Sequence, residues 1–136
     1  MQPALEEALR LLRLAHRDAT TFALLNPLAQ ASMAALGFHA QQAVEKALKA
    51  VCTINRLEIR RTHDLAALAE SISSVGESLP ITVDEFRSLN PFAVEFRYDD
   101  EMQSNLSRQE LDSLLNSVLK WADRALAMHQ AGDNRP

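Results

Sequence analysis

The 136-residue sequence predicts an all-α fold, an up-and-down bundle of about five helices, three long and two short. Three observations lead there. Alanine and leucine recur throughout, while three glycines and five prolines leave little material for a turn-rich β architecture. Apolar residues return at spacings of three and four along the longer stretches. Two capping-box patterns, Thr82 with Glu85 and Ser107 with Glu110, mark helix starts.

The first helix is expected over Met1 to Arg17. Pro3 suits a first turn, Glu6 and Glu7 suit the positive end of the dipole, and Leu5, Leu9, Leu12 and Ala15 share a face. Asp18 to Pro27 is ambiguous, because Thr20, Thr21 and Asn26-Pro27 weaken helix. A second helix runs from about Leu28 to Ile54, about 40 Å long, with Gly37 as the place for a bend. Ala40, Ala43, Ala47 and Ala50 share one side of it, widened by Val44, Leu48 and Val51 into a stripe that packs internally or against a partner. His39, Gln42, Lys46 and Lys49 take the opposite side.

Asn55 to Arg61 reads as a loop, and Thr62 or Asp64 caps a third helix over about Leu65 to Ser74. Gly76 to Pro80 breaks the chain. Thr82 then opens a short helix to about Leu89, which Asn90-Pro91 stops. Phe92 to Phe96 is a helical turn or extended, and Asp99 to Asn105 is a polar, acidic loop. Ser107 opens the final helix, about Arg108 to Gln130, on which Leu111, Leu114, Leu115, Val118, Trp121, Ala122, Ala125 and Met128 keep helical spacing. Residues 1–131 form one domain, and 132–136 a flexible tail.

Hydrophobic residues are 47% of the chain and charged residues 24%, as in an ordinary globular domain. A formal charge of −4 argues against a general nucleic-acid coat but not against a small basic pocket. The one cysteine, Cys52, excludes an internal disulfide and a cysteine zinc cluster. No apolar run reaches transmembrane length and no signal pattern is present, so the expected location is cytoplasmic, without membrane contact. There is no glycine-rich phosphate loop and no His-Cys metal set, and neither a cofactor nor a metal is expected.

Three ordered pieces stand out: Ala40-Gln41-Gln42-Ala43 with Glu45-Lys46 and Lys49-Ala50; then Thr62-His63-Asp64-Leu65; then Arg97-Tyr98-Asp99-Asp100. Together they resemble the HEPN family of small helical domains, over roughly Leu5 to His129. The resemblance implies a domain similar to the substrate-binding domain of nucleotidyltransferases. It also implies a homodimer with a shared interface site, and a small nucleotidyltransferase partner in a two-component, toxin–antitoxin-like system. Many HEPN proteins share an Arg-x4–6-His motif for RNA cleavage, in which Arg holds phosphate charge and His does acid–base work. Arg97 stands near that place, but Met102 follows where a histidine is wanted, and none lies between Arg97 and His129.

The candidate nucleotide- or phosphate-binding residues are Lys46, Lys49, Arg61, His63, Arg97 and Tyr98. Lys46 and Lys49 read as a cationic strip, or as a solvated face with Glu45 supporting Lys49 at i,i+4. His63, with Arg60, Arg61 and Asp64 beside it, reads as a phosphate holder or as part of a helix cap. Arg97 suits a phosphate or an internal carboxylate, and Tyr98 suits a stacked base. The formal Arg–His spacings Arg10/His16, Arg56/His63 and Arg124/His129 carry little weight in a chain with eleven arginines. No catalytic residue is assigned. Three functions remain open: a non-catalytic nucleotide- or substrate-binding subunit, a metal-independent ribonuclease toxin that takes His63 as its histidine, or a structural interaction module.

Overall fold

The computed structural model describes residues 2–59, 62–93 and 106–133, with residue 133 described by its backbone alone. In chain order it contains α1 (Pro3–Leu25), α2 (Met33–Ile54), α3 (Leu65–Ser74), α4 (Val83–Arg87), a 3-10 turn (Asn90–Ala93) and α5 (Arg108–Asp133). There is no strand among the described residues, and the chain is an all-α bundle of three long and two short helices. No helix among them is long and apolar enough to cross a membrane.

α1 runs past Arg17 through the ambiguous segment to Leu25. Thr20 and Thr21 stay helical because their hydroxyls donate back to the carbonyls of His16 and Arg17, at 3.0 and 3.3 Å. The helix ends only where Asn26 meets Pro27. α2 starts later than expected, at Met33 rather than Leu28. Ser32 is its cap, with Oγ accepting from the Ala35 amide at 3.1 Å. The intervening turn is pinned from far away in sequence. The Arg108 guanidinium donates to the carbonyls of Asn26 (2.8 Å), Leu28 (2.9 Å) and Ala31. This clamp fixes the first turn of α5 to the turn that follows α1, and with His16 meeting Asp123 farther along both helices, α1 and α5 run antiparallel.

α2 is the spine. Ala40, Ala43, Ala47 and Ala50 are all buried, so the alanine seam is internal. α1 is its main counterpart and buries Leu5, Ala8, Leu12 and Ala15, and α5, with Leu111, Leu115, Val118 and Ala122 buried, packs against it as well. Small side chains on both α1 and α2 let the backbones approach closely. Gly37 serves close packing too. A Cβ there would sit 2.0 Å from Phe92 Cδ1, so the fully buried Phe92 ring fills the notch that glycine leaves. The helix is unbroken at Gly37.

The shorter elements begin and end on local chemistry. Asp64 caps α3, and Gly76 turns the chain after it at φ 86, a conformation glycine adopts without Cβ strain. Thr82 and Glu85 form the full capping box of α4, and Ser107 and Glu110 exchange the same pair of bonds at α5, each 3.1 Å. Asn90-Pro91 tightens the chain into the 3-10 turn that carries Phe92. Trp121 Nε1 donates to the Ser78 carbonyl at 2.8 Å and ties the α3–α4 connection onto α5. α5 continues to Asp133, past the start of the expected tail.

The Gly37–Phe92 fit is testable by a double-mutant cycle. Gly37→Ala alone should destabilise by about 1–3 kcal/mol through overpacking. In a Phe92→Ala background the same change should cost much less, because the ring it meets is gone. Urea unfolding midpoints of the four proteins measure the coupling.

Candidate functional site

The second buried line of α2 is polar: Gln41 and Glu45 stand one turn apart, in register with Leu48 and Cys52. Glu45 is only 5% exposed, and its carboxylate is fully engaged. Gln41 Nε2 donates to Oε1 at 3.0 Å, the His63 ring meets the same oxygen through Nδ1 at 2.7 Å, and Lys49 Nζ donates to Oε2 at 3.1 Å. Gln42 Nε2 extends the network by donating to Gln41 Oε1 at 2.8 Å. Burial pushes the Glu45 carboxyl up, but the bonds from His63, Gln41 and Lys49 and the charge of Lys49 outweigh it and hold the group below its ordinary value.

His63 reaches this carboxylate because the start of α3 is fixed on two sides. Thr62 Oγ1 accepts from the Asp64 amide at 3.0 Å, and Asp64 Oδ1 accepts from the amides of Ala66 (3.1 Å) and Ala67 (3.4 Å). Asn90 then clasps the turn, its Oδ1 accepting from the Leu65 amide at 3.0 Å and its Nδ2 donating to Asp64 Oδ1 at 2.9 Å. The Asn90 bond, the two helix amides and the nearby Arg87 charge lower the Asp64 carboxyl against a smaller effect of burial.

The chemical consequence lies in the ring. An ionised carboxylate only accepts, so Nδ1 carries the proton that faces Glu45. Nε2 is left on the open side of a side chain that is 70% exposed, with no partner among the described residues. A buried anion therefore orients an accessible imidazole nitrogen, and that nitrogen accepts a hydrogen bond from a ligand when neutral or donates one when charged.

The sequence candidates do not converge on one strip. Lys49 belongs to the Glu45–His63 cluster, and its pairing with Glu45 at i,i+4 is present. Lys46 points to α1, where it forms an ion pair with Asp18. With side chains 26% and 21% exposed, the two lysines are internally neutralised rather than a bare cationic face. His39 packs edge-on against Phe38, ring centroids 5.4 Å apart, and its Nδ1 is buried without a partner among the described residues. Arg61, Arg97 and Tyr98, with the acidic run from Asp99 to Glu101, lie outside the described residues.

None of the formal Arg–His pairs is joined by a hydrogen bond among the described residues. Arg10 pairs with Glu7 at 2.7 Å, His16 meets Asp123 at 2.7 Å, and Arg56 reaches Gln2 Oε1 at 3.4 Å. A groove of about 480 Å³ where the start of α1 meets the ends of α2 and α5, lined by Gln2, Leu5, Ile54, Arg56, Met128 and His129 among others, takes no residue from the Glu45 network. Burial pushes the Cys52 thiol up to about 11, against a smaller opposing effect of Lys49, so it stays a protonated core residue. Sequence reading missed Gln41 and Glu45 as buried groups and Asn90 as the clasp. The available signal was the i,i+4 polar pair continuing into Leu48 and Cys52.

Fold and site together define a helical domain that presents a carboxylate-anchored histidine. The model of the HEPN domain family matches residues 4–124, and the chain belongs to that family. No curated protein matches the chain, and no solved structure does.

Glu45→Gln removes the charge while keeping the shape. It should destabilise the fold by about 1–3 kcal/mol at neutral pH. A carboxyl lowered in the folded state contributes stability above its unfolded value, about 4.3, and loses it as pH falls through the lower folded value. The gap between wild type and variant should therefore be full at neutral pH, begin to narrow as pH falls through about 4.3, and close only as pH falls through the lowered folded value. Urea unfolding as a function of pH reads it directly.

Proposed function

We propose that this HEPN domain is a non-catalytic subunit that binds a nucleotide or nucleotide-bearing substrate. In this reading it works as a homodimer beside a small nucleotidyltransferase, in a two-component, toxin–antitoxin-like pair. The observation that carries the binding reading is His63, whose Nδ1 is held by the buried Glu45 while its Nε2 stands open to a ligand. Arg60 and Arg61 precede it in sequence, so a phosphate-bearing ligand suits the position. The non-catalytic part is supported by the residues after Arg97: Met102, Gln103 and Ser104 occupy the places where the Arg-x4–6-His motif needs a histidine. The nucleotidyltransferase partner and the dimer rest on the resemblance of the three ordered motifs.

A second reading has an observation of its own. A histidine oriented by a carboxylate through one nitrogen is what acid–base catalysis requires of the other. With Arg97 as the phosphate cation, His63 would then serve RNA cleavage.

One set of proteins separates the two: wild type, His63→Ala and Arg97→Ala, each titrated with ATP by calorimetry and incubated with a mixed RNA pool. Saturable ATP binding weakened about tenfold or more in His63→Ala, without RNA cleavage, supports the binding subunit. Cleavage lost in both variants supports the ribonuclease. A folded wild type that neither binds nor cleaves overturns both.

A further inference from the structure

His16 and Asp123 join α1 to α5 through a 2.7 Å contact. Around it the two antiparallel helices repeat one pattern. Arg13 and Arg17 stand three residues before and one after His16; Lys120 and Arg124 stand three before and one after Asp123. Each pair is spaced i,i+4, so its members are neighbours about 6 Å apart on the exposed side of the helix. With adjacent helix axes about 8–10 Å apart, the four cations form a four-cornered array astride the α1–α5 seam. All four are exposed, and none pairs with a carboxylate among the described residues. Of the acids nearby, Glu7 pairs with Arg10, Asp18 with Lys46 and Asp123 with His16, and Asp112 accepts from the Asn116 amide; Glu6, two turns before Arg13 on the same stripe, is exposed and has no ion-pair partner among the described residues.

This concentration stands against the rest of the molecule. The formal charge of the chain is −4, and with these four cations set aside the remainder carries −8. Unpaired like charges a turn apart repel one another, so the array is unfavourable in isolation and relaxes only on meeting anions.

We propose that the α1–α5 face docks an acidic helical segment of a protein partner. The seam between two helices accepts a third helix. Glutamates or aspartates on both flanks of that helix, repeating every three or four residues, match the spacing of the cations. Three of the four cations are arginines, whose forked donors pair with carboxylates bidentately. Two features weigh against a nucleic acid. The one aromatic residue of α5, Trp121, is buried and bonded to Ser78, so the face has no platform for stacking bases. A long polyanion would also extend past the array onto the strongly acidic remainder. The surface is separate from the His63 corner, and the proposal does not depend on the function proposed for that corner.

The test uses three fluorescent probes of matched length. One is an alanine-based helical peptide of about 20 residues with glutamates at i,i+4 on one face. The second has the same composition with the glutamates dispersed around the helix, and the third is oligouridylate. Anisotropy titrations compare wild type, Arg13→Gln/Arg17→Gln, Lys120→Gln/Arg124→Gln, and Arg87→Gln as an exposed cation elsewhere. The expected result is that the one-faced peptide binds wild type and Arg87→Gln equally, about tenfold tighter than either other probe. Each double variant should lose about tenfold of that affinity, and raised salt should weaken it. Because the substituted side chains are exposed, circular dichroism should stay unchanged. Tighter binding of oligouridylate, equal binding of the two peptides, or double variants that bind like wild type would overturn the proposal.

Discussion

A carboxylate placed inside a helical bundle must find its hydrogen bonds from protein, since water cannot reach it. Glu45 sits on the one helix that α1, α3 and α5 all pack against, and leaving its charge unpartnered would cost several kcal/mol, a large part of the stability of a domain this size. The chain meets the need with Gln41 one turn earlier, Lys49 one turn later, and His63 from another element. The first two come with the helix itself. The third requires that α3 begin at one particular place, and Asn90 and Phe92 in the 3-10 turn hold that place from outside. Stability of the core and orientation of the candidate site thus rest on the same carboxylate.

Charge is divided between two regions. Around α2 each cation has a nearby anion: Lys46 with Asp18, Lys49 with Glu45. On the binding reading proposed above, that region would meet a specific ligand through a fixed imidazole nitrogen rather than attract anions diffusely. On the α1–α5 face Arg13, Arg17, Lys120 and Arg124 have no carboxylate partner among the described residues, and on the docking proposal their long-range attraction would act on a partner before contact.

Sequence reveals what is decided locally. Thr82, Ser107 and Asp64 mark helix starts that the structure keeps, because a cap is a bond between residues two or three apart. The Glu45–Lys49 pair was equally legible as an i,i+4 contact. The late start of α2 was not, because it depends on Arg108, some eighty residues away, capturing the carbonyls of the preceding turn. Nor was the persistence of α1 through Thr20 and Thr21, where back-bonding overrides propensity. Lys46 and Lys49 were correctly placed off the alanine seam, yet only the packing of α1 reveals that Lys46 answers Asp18. The family was legible from ordered motifs; the role of Glu45 within them emerges only once α3 is seen to return His63 to it.

The central relation is that ionised Glu45 fixes the tautomer of His63, and nuclear magnetic resonance of the ring nitrogens tests it most directly. In mildly alkaline solution, a two-bond proton–nitrogen spectrum should show His63 protonated at Nδ1 and bare at Nε2, with that preference lost in Glu45→Gln. A ring protonated at Nε2 in the wild type, or a spectrum unchanged by Glu45→Gln, would contradict the relation and with it the site built on it.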